Sequence, residues 1–432
     1  MDLESQAGRA STSVIRRVIA IAMLVAAIPA ALAAAVIGVF VAASQLSVPL
    51  MIFFAGLASA ALMMLLLGYV AAKVLRSARP LGFASVGSIG VPAVLGIIAL
   101  TYLSPEEAAP ETLRSPAVPF QLWDLDTGTR AAVRQVTSRG VTERPPIVFL
   151  HGGPGGYSVS LEATVAALGG LADDGHSIYF YDQVGGGLST RLADITQYTL
   201  DRHLADLNAI VRRIDGGPVI LVGSSFGASL AANYMARYPD HVAAAIVSGA
   251  APMFYPHYAE IGDGKIDDVL SDSRRAKMRE IVETPRVFTA LALAAVNPNA
   301  AVRFAPDAEL GALFDRVANE VYLPATVCPG NTVGFRSKGY GFWSNRMTGR
   351  TLSNQAYDPR PDLSNNQTPV LVIRGECDYK KADVALEYVE VIPNSRIISM
   401  AGAGHMPYLE RPDAYLEHVR QFLKTTLRRG EY

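Results

Sequence analysis

The sequence predicts an α/β domain built on a doubly wound, mostly parallel sheet with an inserted helical cap, preceded by about three transmembrane helices. Three observations carry this expectation. From residue 120 onward, short apolar runs alternate with amphipathic stretches, the pattern of strands joined by crossover helices. Within that alternation one apolar run passes through a Gly-x-Ser-x-Gly turn straight into a helix-forming stretch (VILVGSSFGA, 219–228). Ahead of it lie two tracts without a single charge, 18–72 and 80–105, where a soluble helix would need a charged face.

The N-terminal quarter comes first in the chain. A bilayer core takes ~20 apolar residues as a helix, so the first tract is too long for one span, and it has a polar break at 44–49. Three spans are expected, near 18–43, 49–72 and 82–103. A cleaved signal peptide is disfavoured because its apolar region is about 7–15 residues. Arg9, Arg16 and Arg17 precede the first span, and Lys73, Arg76 and Arg79 separate the second from the third. The positive-inside rule then puts residues 1–17 in the cytoplasm and, after three crossings, the rest of the chain on the extracytoplasmic side of the cell membrane. The acidic, proline-bearing segment 104–119, with Glu106, Glu107 and Glu111, reads as a linker.

About 315 residues remain, enough for one α/β domain with an insertion. An antiparallel pair is expected at 120–125 and 131–136, then strands near 146–150, 177–181, 218–222, 243–248, 369–373 and 396–400. Amphipathic stretches at 200–214 and 229–238 are spaced as crossover helices. Between 253 and 366 the alternation gives way to short helical segments and Gly/Asn/Pro-rich connections. That division makes 120–252 and 367–432 the core and 253–366 a cap, where substrate selection is expected.

The turn at Gly223–Gly227 holds the hydroxyl of Ser225 between a strand and a helix N-terminus, the setting of a nucleophile. Acyl transfer by serine needs a histidine to take its proton and a carboxylate to orient that histidine. In this kind of sheet the chain order is serine, acid, histidine. Asp378 follows the strand PVLVI, with Glu376 as a rival, and His405 follows the strand RIISM. Upstream, PPIVFLHGGPGG (145–156) is a strand entering a glycine loop, whose uncovered amides suit an oxyanion. The amides of Gly153 and Phe226 are the expected donor pair, and His151 is expected to brace the loop. A phosphate-binding loop is disfavoured, since no Lys-Ser/Thr pair follows the glycines.

HGGPGG at 151–156, YDQVGGGLST at 181–190 and GSSFG at 223–227, in that order, resemble the prolyl iminopeptidase-like branch of the α/β-hydrolases over roughly residues 120–427. The resemblance implies Ser225, Asp378 and His405 as a triad and Gly153 and Phe226 as the oxyanion hole. It also implies an aminopeptidase acting on short peptides, with a cap carboxylate holding the substrate's α-ammonium. Glu260, Glu283, Glu309 and Glu320 are the candidates by location. Family members commonly have arginine where this chain has Val184, and often tryptophan where it has Phe226.

The alternatives are a carboxylesterase, amidase or lactonase with the same triad and, from another class, a non-catalytic membrane scaffold. The expected partners are a small peptide or ester substrate and the lipid bilayer. The net charge of −1 comes with no basic stripe for nucleic acid, and no zinc-type Cys/His cluster or other cofactor signature is present. Cys328 and Cys377 fit either a disulfide between cap and core or two buried thiols. Oligomeric state is left open.

Overall fold

A computed structural model describes residues 3–105, 118–139, 144–214 and 217–427. Most of the expected linker, including Glu106, Glu107 and Glu111, lies outside the described residues, as does the side chain of Arg9.

The strands are β1 (Gln121–Asp124), β2 (Arg130–Val136), β3 (Arg144–Leu150), β4 (His176–Tyr181), β5 (Val219–Ser224), β6 (Val242–Ser248), β7 (Val370–Gly375) and β8 (Ser395–Met400). Helices α1 (Leu3–Ala43), α2 (Pro49–Val74) and α3 (Pro80–Leu103) precede them. Helices α4 (Glu162–Gly169), α5 (Leu200–Arg213) and α6 (Phe226–Arg237) lie between strands. The insertion after β6 carries α7 (Asp272–Val282), α8 (Pro285–Val296), α9 (Pro298–Phe304), α10 (Asp307–Val317) and α11 (Phe342–Ser353). Each expected strand is present within about three residues of its anticipated bounds.

The chain forms two compact units, one of residues 1–107 with 284–306 and one of 108–283 with 307–432. The second holds a single sheet in the order β1-β2-β4-β3-β5-β6-β7-β8. β1 and β2 pair antiparallel, as does β2 with β4, and the remaining pairs are parallel. Central strands covered on both faces read as continuous apolar runs, and β5 and β6 are buried at every position. Alternate residues point to opposite faces. Val148, Leu150 and Leu221 therefore join Leu204, Leu207 and Ile210 of α5 on one side. Ile147, Phe149, Ile220 and Val222 join Val419 and Phe422 on the other.

Thr199 caps α5 by accepting a hydrogen bond from the Arg202 amide at 3.1 Å, and the helix ends with Arg212 and Arg213, which suit its dipole. The parallel register sets Leu150 beside Gly223 and Ser224 beside Ser248. The loops leaving β3, β5 and β6 therefore emerge side by side at the carboxyl edge of the sheet, where such folds gather functional groups.

In the other unit, α1, α2 and α3 are each long and apolar enough to cross a bilayer. They approach through small residues: a Cβ on Gly56 would lie 2.6 Å from Val39 Cγ2, and one on Gly68 3.1 Å from the Ala84 backbone. Large apolar side chains such as Leu62 (68 % exposed) and Leu100 (73 %) point outward.

Candidate active site

Ser225 is one of two non-glycine residues with positive φ among those described (φ 54°, ψ −119°). That conformation costs of order 1–3 kcal/mol and persists where the surroundings over-determine it. Here they do. The Ser225 amide donates to the Ser248 carbonyl at 3.0 Å, and its carbonyl accepts from Ala228 at 2.9 Å. The flanking glycines have no room for side chains: a Cβ on Gly227 would sit 1.9 Å from the Leu150 carbonyl oxygen, and one on Gly223 2.4 Å from that of Gly227. Phe226 is the first residue of α6, so its amide has no acceptor within the helix.

The glycine loop after β3 passes directly over this turn, with the Cα of Gly152 so close that a Cβ there would meet Ser225 Cβ at 2.9 Å. Gly153 adopts φ 132°, open to glycine alone. His151 braces the loop as expected. Its Nδ1 donates to the Gly152 carbonyl at 2.9 Å and its Nε2 accepts from the Gln183 amide at 2.9 Å. Burial lowers its pKa to about 4, consistent with this neutral tautomer.

Asp182 and Gln183, within the motif at 181–190, hold the glycine loop. Asp182, wholly buried, accepts from the amides of Ser158 (2.7 Å), Val159 (2.9 Å) and Leu188 (2.9 Å). Gln183 Nε2 donates to the His151 carbonyl at 2.9 Å. The pair therefore pins both ends of the glycine loop. The glycines at 185–187 serve backbone contact too, since a Cβ on Gly186 would lie 1.9 Å from the Gly156 carbonyl oxygen.

His405 and Asp378 meet. Nδ1 and Oδ1 are 2.8 Å apart with both side chains buried. Burial works against the Asp378 charge, but His405, the Lys380 amide and Arg374 outweigh it and hold the carboxyl below its usual range. Glu376, the rival, turns away and accepts from the Gly402 amide at 3.0 Å. The His405 amide donates to the Thr326 carbonyl at 2.8 Å. Gly249, next to the Ser248 that holds Ser225, packs against the imidazole, with a Cβ there 2.9 Å from Nδ1. Serine turn and histidine loop thus share one wall.

Cys328 and Cys377 form a disulfide with Cα atoms 5.2 Å apart. It ties the cap segment that carries Thr326 to the loop that carries Asp378.

Tyr379 escaped sequence reasoning. Its ring lies 4.5 Å from that of His405, centre to centre, and its hydroxyl is 3.5 Å from Nε2. Its position beside the acid in sequence was the available signal.

Glu260 and Glu283 are exposed, Glu309 is half-buried in the first turn of α10, and Glu320 is exposed between Lys277 (3.7 Å) and Arg316 (4.0 Å). The more buried carboxylates of the cap have partners. Asp315 accepts from Ser337 Oγ at 2.5 Å and the Gly339 amide at 2.7 Å, Asp307 pairs with Arg191 at 2.6 Å, and Asp263 pairs with Lys380. Burial raises the pKa of both Asp315 and Asp307.

The α/β hydrolase fold family matches residues 145–412. The chain is 34 % identical over 299 residues to the proline iminopeptidase of Thermoplasma volcanium, spanning 66 % of this chain and 90 % of that one. It is 25 % identical over 304 residues to that of Heyndrickxia coagulans, spanning 69 % and 96 %. Among solved structures, a mutant of the N-acyl homoserine lactonase AidH superposes with a TM-score of 0.50 at 17 % identity, covering 73 % of this chain and all of the other; at that identity the likeness concerns the fold. With its serine turn, its glycine loop and these relatives, the chain belongs to the α/β-hydrolase family, on the proline iminopeptidase-like branch, and is a serine hydrolase.

Proposed function

We propose that the protein is a membrane-anchored aminopeptidase of the iminopeptidase type, working through an acyl-enzyme on Ser225. The observation that carries the reading is the buried 2.8 Å pair of His405 and Asp378 against the wall that holds Ser225. Ser225 Oγ attacks the scissile carbonyl while His405 Nε2 takes its proton, and Asp378 keeps Nδ1–H in place and stabilises the imidazolium. Charge on the carbonyl oxygen falls to the amides of Gly153 and Phe226, a donor of this kind being worth about 100- to 1000-fold in rate. His405 then returns its proton to the leaving amine, and water releases the acyl group by the same steps. Nε2 has Tyr379 as its partner in the free protein. On this reading it exchanges that contact for Ser225 as substrate binds, since catalytic hydrogen bonds commonly tighten in the complex.

Three long apolar helices support anchoring, and the basic residues at and between their ends support a cytoplasmic N-terminus. The disulfide independently supports an extracytoplasmic hydrolase, because such bonds persist in oxidising compartments.

A second reading, an esterase or lactonase with the same triad, is favoured by the exposed settings of Glu260, Glu283 and Glu320, the last of them beside Lys277. Chromogenic proline, alanine and ester substrates assayed side by side distinguish the two. Turnover of the amino-acid amides is expected, and turnover of esters alone overturns the peptidase reading. Ser225→Ala should abolish fluorophosphonate labelling and lower turnover by about 10⁴- to 10⁶-fold; a variant that still labels moves the nucleophile elsewhere.

A further inference from the structure

Residues 284–306 sit in sequence inside the cap insertion, yet they form part of the compact unit built on α1, α2 and α3. α8 has 12 residues, about 18 Å of helix, which is too short for the ~30 Å of a bilayer core and of the length of interfacial segments. From Thr284 to Pro306 there is no Asp or Glu, and the charges are Arg286 and Arg303.

Three kinds of contact hold this hairpin, all at one end of the helical bundle. The Asn297 amide donates to the carbonyls of Ala43 (2.8 Å) and Leu46 (3.1 Å), at the end of α1 and in the turn after it. The Arg286 guanidinium donates to the carbonyl of Leu103, the last residue of α3, and to that of Phe304 at 2.7 Å. Phe304 packs on Phe53 in the first turns of α2, ring centres 5.5 Å apart. The bonds satisfy carbonyls that helix ends otherwise leave to water. The opposite face of the hairpin is apolar and uncovered, with Phe288 57 % and Val296 39 % exposed. Leu50 and Met51 in the first turn of α2 and Leu100 in the last turn of α3 are exposed as well.

We infer that α8 and α9 form an interfacial hairpin whose partner is a lipid surface: the Phe288 face rests in the outermost acyl region, with Arg303, exposed on α9, among headgroup phosphates. An acid-free helix pair with apolar residues on one side and arginines at its margins is built for that boundary. The inference rests on the reading of α1–α3 as membrane spans and adds a fourth membrane-contacting element, drawn from the cap.

The test is nitroxide accessibility on the full-length protein in liposomes. The native cysteines are joined, so a thiol-specific label goes to Phe288→Cys alone, with Val296→Cys in reserve should that variant misfold. Leu62→Cys on α2 and Leu386→Cys on the hydrolase serve as references, both side chains being exposed. The expected result is a ratio of oxygen to aqueous nickel-complex accessibility at position 288 several-fold above that at 386 and below that at 62, which lies at the middle of α2. A ratio at 288 equal to that at 386, with 62 lipid-exposed, overturns the hairpin and leaves the spans. A water-accessible label at 62 overturns the spans themselves. Dipolar coupling between labels at 288 on two molecules overturns the lipid partner in favour of a second copy.

Discussion

The two compact units solve opposite packing problems with the same apolar residues. In the hydrolase unit the largest side chains, such as Phe149, Phe180 and Tyr181, are fully buried. In the other unit many of the buried positions are alanines, among them Ala27, Ala31, Ala60 and Ala71, with Ile52 and Met64 beside them, while many large side chains such as Leu62 and Leu100 face outward. Burying apolar area stabilises the first against water. On the reading of α1–α3 as membrane spans, it has little to offer the second, where close approach of small residues does the holding. Polar groups divide the same way. The hydrolase buries His151, Asp182, His203, Asp378 and His405, all hydrogen-bonded, whereas the one buried charged residue described in the other unit is Arg286, which serves carbonyls at a helix end.

Glycine gives the sharpest way to break this contrast. In the hydrolase, Gly223 and Gly227 face backbone oxygens; between the long helices, the shortest contact at Gly56 is with a side chain. Gly227→Ala would force a Cβ to 1.9 Å from the Leu150 carbonyl, in a region that cannot yield without moving β3 or the nucleophile turn. A cost above about 4 kcal/mol is expected, with folded hydrolase and fluorophosphonate labelling both lost. Gly56→Ala meets Val39 Cγ2 at 2.6 Å and the Ala35 carbonyl oxygen at 3.0 Å, and should cost about 1–3 kcal/mol in detergent melting. Gly90→Ala meets nothing within 4 Å and should be neutral or slightly stabilising, since alanine is the better helix former by about 1 kcal/mol. A Gly227→Ala protein that melts like the wild type would dismiss the distinction.

The disulfide tests whether the units respond separately. It closes a separation of 49 residues, for which the chain-entropy estimate is about 4 kcal/mol. Replacing Cys328 and Cys377 together by serine should lower the stability of the hydrolase by that order and leave the transition of α1–α3 in place. Because Cys377 adjoins Asp378, turnover should fall as well. One joint transition moving as a whole would show that the two units are not independent.

Fold and chemistry were legible in the sequence to different depths. Strand positions emerged from apolar runs, because a sheet covered on both faces has no other composition open to it. Ser225 and the glycine loop were legible because their backbones exclude side chains. Chain order pointed to Asp378 and His405 as candidates, and that Asp378 rather than Glu376 meets the imidazole depends on how the two loops turn. The roles of Asp182, Gln183 and Tyr379 were hidden, since each depends on partners far away in the chain or on a ring orientation. The membership of 284–306 was hidden for a further reason: hydropathy windows long enough to detect a span pass over a 12-residue helix.

Acid should weaken the hydrolase selectively, and the sign follows from which state takes up protons. His151 and His203 are buried neutral, and burial lowers them to about 4 and about 3, whereas in the unfolded chain they titrate near 6.5. Above that pH they contribute nothing. As pH falls from about 6.5 toward 4, the unfolded chain binds protons that the folded one excludes, and stability drops by about 1.4 kcal/mol per pH unit for each histidine. Asp182 opposes them: burial raises its carboxyl, so the folded state takes up its proton first on acidification and gains there. The total slope therefore mixes signs, and the informative quantity is a difference between variants. His203→Gln keeps a polar partner for Thr348, which His203 Nε2 meets at 3.1 Å, and removes one titrating group. Its melting temperature should fall less steeply than the wild type's between pH 6.5 and 4, and the two should run parallel above 6.5. Parallel curves across the whole range would mean that His203 titrates normally in the folded protein, and the buried-polar half of the contrast would fail.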